Sequence, residues 1–265
     1  MSKLFAGRIG GVVSADIAVP EHERELRFYS RVLRTGANPL WREDGMNNLG
    51  MPIIGLGPRT PEYEGLPLQW MPHIQVADVA VSAARAAELG GRVLMHQKDP
   101  DGNSQWAVLF DPNGAAFGII PVISAEAMPS VGASAPQGEA GPVGRIAWLD
   151  LTVPNAEATR DFYTKVIGWT VHEVEMEDGG ERYVDYGMVG GDGDGAAGVC
   201  HARGVNTGLP PVWIIYLTVG DLAESLRRVE EEGGRVITSM QDEDGAYAYA
   251  VIQDPIGVYV GLMPG

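Results

Sequence analysis

Ser14-Ala-Asp16-Ile-Ala-Val-Pro20 and Trp148-Leu-Asp150-Leu-Thr-Val-Pro154 are two versions of one phrase. Each is followed by an aromatic pair, Phe28-Tyr29 and Phe162-Tyr163, at the same separation of 134 residues. A second set of matches runs at a separation of 143: Trp70 with Trp213, Asp78 with Asp221, Gly90-Gly91-Arg92-Val93 with Gly233-Gly234-Arg235-Val236, and Asp111-Pro112 with Asp254-Pro255. Self-similarity of this kind decides a fold before local propensity does. The chain is a tandem duplication, and the difference between the two separations puts nine extra residues in the first half of the second copy.

Each copy repeats a smaller unit. Ala15, Ile17 and Val19 alternate with Ser14, Asp16 and Ala18, the pattern of a half-buried strand. Pro20 breaks that strand, and Leu26, Tyr29 and Leu33 then stripe a helix that closes near Gly36. Leu149, Leu151 and Val153, followed by Phe162, Tyr163, Val166 and Ile167, repeat the order and end at Gly168. Further on, the strands Trp70–Val76 and Trp213–Val219 lead into helices with Asp78 and Asp221 as N-caps and a Gly-Gly stop. Asp111-Pro-Asn-Gly114 and Asp254-Pro-Ile-Gly257 are hairpin turns, because proline presets φ and glycine accepts a positive φ. A strand, a helix and further strands thus occur about four times, which predicts an α+β fold with helices on one sheet face.

Composition sets the outer bounds. A chain of 265 residues is long enough for two domains with their own cores. The single Cys200 excludes an internal disulfide and fits a reducing, cytoplasmic setting. No apolar run has the length of a membrane span, and no targeting segment is expected. With 19 basic against 35 acidic residues, a net charge of −16, neither nucleic acid nor an anionic membrane is an expected partner. Charge runs such as Glu230-Glu231-Glu232 read as solvated faces.

The order strand, Val-Pro, Phe-Tyr helix, Val-x-Asp, Gly-Gly, Asp-Pro-x-Gly, met twice, resembles the vicinal oxygen chelate superfamily, also called the glyoxalase/bleomycin-resistance/dioxygenase family. Trp148-Leu-Asp150-Leu and the duplication within one chain are similar to its two-copy, glyoxalase-like bacterial branch. The resemblance implies paired βαβββ units curled into cupped mixed sheets with helices outside. It divides the chain into one domain at 1–122, an Ala/Pro/Gly linker at 123–143 and a second domain at 144–265. In metal-dependent members the cup holds a divalent ion that chelates vicinal substrate oxygens. Because the duplication supplies the pairing that shorter relatives obtain by dimerising, a monomer or a homodimer is expected.

The same resemblance identifies where such an ion's ligands would stand, and those positions lack donors. The first strand offers Ser14 and Trp148, the third-strand position Met71 and Ile214, and the last-strand carboxylate position Gly118 and Gly261. The remaining position falls near Ile53–Gly57 and Ala196–Cys200, where no carboxylate or histidine stands. A hard cation needs several oxygen or nitrogen donors, so no metal and no other cofactor is expected. Strand parity places Asp16 with Ser14 and His73 with Met71, which makes Asp16 and His73 the candidate catalytic pair, a carboxylate orienting an imidazole. Candidate ligand-binding residues are Ser14, Met71, Trp148, Asp150, Tyr216 and Tyr259, whose aromatic members suit flat organic molecules.

Three functions stay open at this point. The leading one is metal-independent binding of a small molecule, sequestering an aromatic or reactive carbonyl compound. The second is a glyoxalase-like lyase or isomerase that uses Asp16 and His73 or an unrecognised divalent metal. The third is an interaction protein whose cups are filled by its own side chains. Cys200-His201 reads as an ordinary strand end, Gly190–Gly195 as a hairpin turn, and His22, His96 and His172 as isolated residues in helix or loop surroundings.

Overall fold

The computed structural model describes residues 7–35, 53–124 and 146–265. Most of the expected linker at 123–143 and the helix stop at Gly36 lie outside the described residues. In chain order the elements are β1 (Val12–Val19), α1 (His22–Leu33), β2 (Ile53–Pro58), β3 (Met71–Val76), α2 (Val79–Glu88), β4 (Arg92–Lys98), β5 (Ser104–Phe110) and β6 (Ala116–Pro121). There follow β7 (Ile146–Val153), α3 (Ala156–Ile167), β8 (Thr170–Asp178), β9 (Glu181–Val189), β10 (Gly195–His201), β11 (Trp213–Val219), α4 (Leu222–Glu231), β12 (Arg235–Gln241), β13 (Tyr247–Gln253) and β14 (Tyr259–Pro264).

These elements form four modules and two compact units, and each unit draws one module from each sequence copy. Among the described residues the first unit comprises 7–13, 71–124 and 148–213, the second 14–35, 53–70, 146–147 and 214–265. In the first unit, β3 pairs in parallel with β6, and β6, β5 and β4 continue antiparallel. The module β7–β10 repeats this: β10 is parallel to β7 and antiparallel to β9, which pairs with β8. In the second unit β11, β14, β13 and β12 form the same ladder, and β1 pairs in parallel with β2. A helical crossover followed by a three-strand meander leaves the first and last strands of a module side by side and parallel.

The repeated motifs of the sequence build one buried network per unit. In the first unit Asp111 Oδ1 accepts the amides of Asn113 (2.8 Å) and Ala115 (2.9 Å), which fixes the turn. Its Oδ2 accepts the Tyr163 hydroxyl (3.4 Å), and that hydroxyl accepts Trp213 Nε1–H (2.9 Å). The second unit repeats the arrangement. Asp254 Oδ1 accepts from Ile256 (3.1 Å) and Val258 (2.7 Å), Tyr29 donates to its Oδ2 (2.9 Å), and Trp70 donates to Tyr29 (3.1 Å). Trp70, Trp213, Tyr29 and Tyr163 are among the largest fully buried side chains, and each polar tip is satisfied. Burial of the two tyrosines and the neighbouring aspartates push their hydroxyl pKa values well up.

Helices cap and pack as the sequence predicts. Asp78 and Asp221 accept the amides of Val81 (3.0 Å) and Glu224 (2.8 Å), and α3 ends on Gly168 at φ 91°. Phe162 of α3 lies on Gly91 in the first unit, where a Cβ would collide with the carbonyls of Phe110 and Ala86 and crowd the ring, and Phe28 of α1 lies on Gly234 in the second, where a Cβ would collide with Gln253 O and the ring. In the second unit α1 and α4 meet through Ser225, whose hydroxyl donates to Val32 O (2.8 Å) and contacts Thr35 Oγ1 (2.9 Å).

Four sequence expectations need correction. The buried stripe of α1 is Glu25, Phe28, Tyr29, Val32 and Leu33, so Glu25 takes the inward place expected of Leu26, which is half-buried. His96 and His172 stand on β4 and β8 rather than in helix or loop. Trp70 precedes β3 instead of opening it. In the acidic run 230–232, Glu232 is largely covered and pairs with Arg27 (3.0 Å) and Arg31 (3.4 Å) of α1.

Candidate functional site

Strand parity gives each module one face packed on its helix and one face free of it. In the module β7–β10 the helix face carries Leu149, Leu151, Tyr186, Met188 and Val199, all buried. Tyr186 closes it against α3, with its hydroxyl on Glu157 (3.4 Å) and Arg160 over its ring at 4.4 Å. The opposite face carries Trp148, Asp150, His172, Asp185, Gly187, Gly198 and Cys200.

Register turns that opposite face into a row. His172 on β8 pairs with Gly187 on β9, Gly187 with Gly198 on β10, and Gly198 with Asp150 on β7. Two adjacent glycines thus floor the centre of the row. The His172 ring lies over Gly187 and the Asp150 carboxylate over Gly198, so closely that a Cβ at either glycine would collide with them. Trp148 Nε1–H donates to Asp150 Oδ1 at 2.8 Å, and the edge of its indole reaches Gly195. Trp148 and Asp150 are half-buried, and His172 is exposed.

The same register position is glycine in the other modules. His73 on β3 faces Gly118 on β6, Tyr216 on β11 faces Gly261 on β14, and Asp16 on β1 faces Gly55 on β2. The His73 and Tyr216 rings lie over their glycines and occupy the space a Cβ there would need. Gly118 and Gly261 are the positions at which the family resemblance puts the last metal carboxylate. That space is used by an aromatic ring instead. Beyond the glycine the rows differ: Val108 and Met95 follow in β5 and β4, and Val251 and Thr238 in β13 and β12.

Each candidate residue has a definite place within its unit. In the first unit, Met71 is buried and His73 half-buried on β3, with Trp106 of β5 half-buried on the same face. Sequence reasoning missed Trp106, although it matches Tyr249 at the separation of 143. In the second unit Ser14 and Asp16 are half-buried on β1, Tyr216 is buried and Tyr259 half-buried. Tyr216 packs edge-on against Tyr249, centroids 5.9 Å apart.

A second group was also invisible in the sequence. Asp185 Oδ1 accepts both the backbone amide of His201 (2.8 Å) and its ring Nδ1 (3.0 Å). Cys200 lies on the strand between the carboxylates of Asp150 and Asp185. Burial, and then those two charges, push its thiol pKa up, so it stays a protonated, unreactive thiol. This agrees with the expectation of an ordinary strand end for Cys200. His201 departs from it, because a buried carboxylate sixteen residues upstream in the chain fixes its ring.

Among the described residues no group of three or more His, Cys, Asp or Glu could hold a metal ion. The rows therefore do not fit the divalent centre of metal-dependent vicinal oxygen chelate proteins: each offers at most a carboxylate and an imidazole, and the remaining places hold glycine, valine, methionine, threonine or tyrosine. No helix among the described residues is long and apolar enough to cross a membrane.

Comparison with known proteins supports this architecture. Residues 145–262 match the model of the Glyoxalase/Bleomycin resistance protein/Dioxygenase superfamily, and residues 13–120 match that of a Glyoxalase-like domain. The chain is similar to CFP32 of Mycobacterium tuberculosis (strain CDC 1551 / Oshkosh), described provisionally as a glyoxylase: 25% identity over 255 residues, covering 94% of this chain and 92% of that protein. It is similar over a shorter span to the anthracycline biosynthesis protein DnrV of Streptomyces peucetius, 32% identical over 127 residues, 43% of this chain and 44% of that one. In fold it is similar to 2,2',3-trihydroxybiphenyl 1,2-dioxygenase from Sphingomonas wittichii strain RW1, with a TM-score of 0.55 at 17% identity over 97% of this chain and 90% of that one. The chain belongs to the vicinal oxygen chelate (glyoxalase/bleomycin resistance protein/dioxygenase) superfamily and carries two glyoxalase-like domains.

Proposed function

We propose that this protein binds a small, flat organic molecule on the helix-free face of β7–β10 without a metal ion. The observation that carries this reading is the row Asp150–Gly198–Gly187–His172. Two glycines form the floor: the Asp150 carboxylate lies over Gly198 with the indole beside it, and the His172 ring lies over Gly187, exposed and able to swing aside for a ligand. A planar ring gains contact area on such a floor, and Trp148 supplies an aromatic edge or face. Asp150 holds the indole in place through the 2.8 Å hydrogen bond and brings a negative charge to that end of the row. The similarity to an anthracycline biosynthesis protein favours a polycyclic aromatic ligand.

The second reading is glyoxalase-like catalysis, favoured by the similarity to CFP32 over 94% of the chain. Its acid–base candidates are Asp16 and His73, and a reactive carbonyl compound would be its substrate. His73 lying over Gly118 argues for packing as its first role, and the absence of a gathered donor set among the described residues argues against metal-assisted chemistry.

The test is a fluorescence and calorimetric titration with planar aromatic compounds, with and without EDTA, on the natural sequence and on Trp148→Leu. Affinity unchanged by chelator and weakened about tenfold in the variant supports the binding reading, since an aromatic contact is worth about 0.5–1.5 kcal/mol beyond its buried area. Turnover of an α-ketoaldehyde that is lost in His73→Ala favours catalysis instead.

A further inference from the structure

We infer that the ligand of the β7–β10 face carries a positive charge, a protonated amine attached to its planar ring system, and that this charge is received at the Asp150 end of the row. The inference rests on the small-molecule reading of this face and narrows it from flat organic molecules in general to cationic ones.

Three observations converge. First, the fixed charges that strand parity puts on this face are negative. Asp150 of β7 and Asp185 of β9 share it with Gly198 and Gly187, and among the described residues no lysine or arginine holds a helix-free position on β7, β8, β9 or β10. The one base there, His172, is exposed at the far end of the row, where water screens it. The arginines at the two ends of the β9–β10 hairpin are already engaged. Arg8 pairs with Asp192, and Arg203, stacked over Tyr183 at 4.3 Å, pairs with Glu181 (3.2 Å) and Asp178 (3.6 Å). Second, Asp185 is 4% exposed, and its Oδ1 accepts the amide and ring of His201 while its Oδ2 has no hydrogen-bond partner among the described residues. A buried carboxylate with acceptor capacity unused is costly to keep charged, and a positive charge nearby offsets that cost. Third, Cys200 reports the potential at the Asp150 end. Its Sγ lies 3.5 Å from where a Cβ on Gly198 would stand, beside the Asp150 carboxylate. Burial, and then the charges of Asp150 and Asp185, push that thiol's pKa up. A potential that opposes a thiolate favours an ammonium in the same place. Trp148, tied to Asp150 at 2.8 Å, puts an aromatic side chain beside the carboxylate, and a cation is attracted to both. The equivalent row of β11–β14, Tyr216, Gly261, Val251 and Thr238, carries no charge.

Three probes with one ring system and different charge test this by calorimetric titration at low salt: 1-(aminomethyl)naphthalene, a cation; 1-naphthalenemethanol, neutral; and 1-naphthoate, an anion. The natural protein is expected to bind the amine about tenfold more tightly than the alcohol, and the carboxylate most weakly. Asp150→Asn keeps an oxygen for Trp148 Nε1–H, and Asp185→Asn keeps one for the two His201 donors, so each removes a charge and leaves the framework in place. Asp150→Asn is expected to bring the amine-to-alcohol ratio to within about twofold, and Asp185→Asn to lower it about threefold. The two variants are independent, so either decides if the other does not fold. Glu243→Gln removes the same charge from the exposed β12–β13 turn and is expected to leave the ratio unchanged, which separates this face from the net charge of −16. Equal affinities for amine and alcohol, a ratio that survives Asp150→Asn and Asp185→Asn, or an equal fall in Glu243→Gln overturns the charge inference. Binding of the alcohol in any of these cases leaves the small-molecule reading standing. Binding of no aromatic compound at all defeats both.

Discussion

The two compact units are assembled from equivalent parts, and two contrasts between them are instructive. The first lies in the core: beside the tyrosine–aspartate–tryptophan network, the first unit has Thr159, which contacts Asn113 at 2.9 Å, where the second has Glu25 and Ile256. Thr159 and Asn113 satisfy each other. Glu25 is fully buried and neither of its oxygens has a partner with satisfactory geometry. Its burial, together with the neighbouring Asp254 charge, raises its pKa to about 8. The second contrast lies on the helix-free faces of two topologically equivalent modules of the second sequence copy. The β11–β14 row runs Tyr216, Gly261, Val251, Thr238, with Tyr216 buried over its glycine and packed on Tyr249. The β7–β10 row replaces the valine with Gly187 and the threonine with His172. One face is filled by buried Tyr216 packed on Tyr249, and on the other two adjacent glycines are overlaid by a half-buried carboxylate and an exposed imidazole. Equivalent topology thus does not imply equivalent function, and the chain has room to use one module for packing and another for binding.

The core exchange carries the largest expected effect. A carboxyl whose pKa is higher folded than unfolded binds its proton more tightly in the folded state, so stability is fully present below the unfolded value of about 4.5 and falls as pH rises towards about 8. A shift of this size corresponds to a few kcal/mol at about 1.4 kcal/mol per pH unit. Glu25→Gln, or Glu25→Thr in imitation of the first unit, should remove most of the decline between about pH 5 and pH 9 in denaturant unfolding of the full chain. A decline of unchanged steepness in both variants would show that Glu25 is not the group responsible.

A smaller effect separates the two faces. Gly261→Ala drives a methyl group into the ring of buried Tyr216, and overpacking of that kind costs about 1–3 kcal/mol. Gly187→Ala meets the far end of the His172 ring, which is exposed and can swing away, so its cost should stay within about 0.5 kcal/mol. Thermal unfolding of the two variants side by side checks the contrast. Equal losses would mean that the β7–β10 floor is as tightly packed as the tyrosine-filled one.

Much of the fold was legible because each repeated motif has a local or network role. Asp78 and Asp221 cap helices, Gly168 ends one, and the Asp-Pro-x-Gly turns and Phe-Tyr pairs meet in the two buried networks. Other features depend on information that periodicity does not carry. Glu25 sits in the first turn of a helix, where an acid normally faces water and favours the helix dipole; only tertiary packing turns it inward. The Asp185–His201 contact spans the β9–β10 hairpin, and its alignment depends on a register shift between Gly195 and Ala197. The glycine row was unreadable for the same reason. Gly187 and Gly198 become neighbours only once that register is set, and either alone resembles any strand glycine.

The central claim is that the glycine-floored face binds without a metal ion. The most direct measurement is elemental analysis of the full chain purified without chelator, joined to calorimetric titration of the same sample with 1-naphthol before and after dialysis against EDTA. The account predicts well under one equivalent of any divalent ion per chain and a naphthol affinity that dialysis leaves unchanged. One equivalent of a divalent ion per chain, with naphthol binding abolished on its removal and restored on its return, would contradict it.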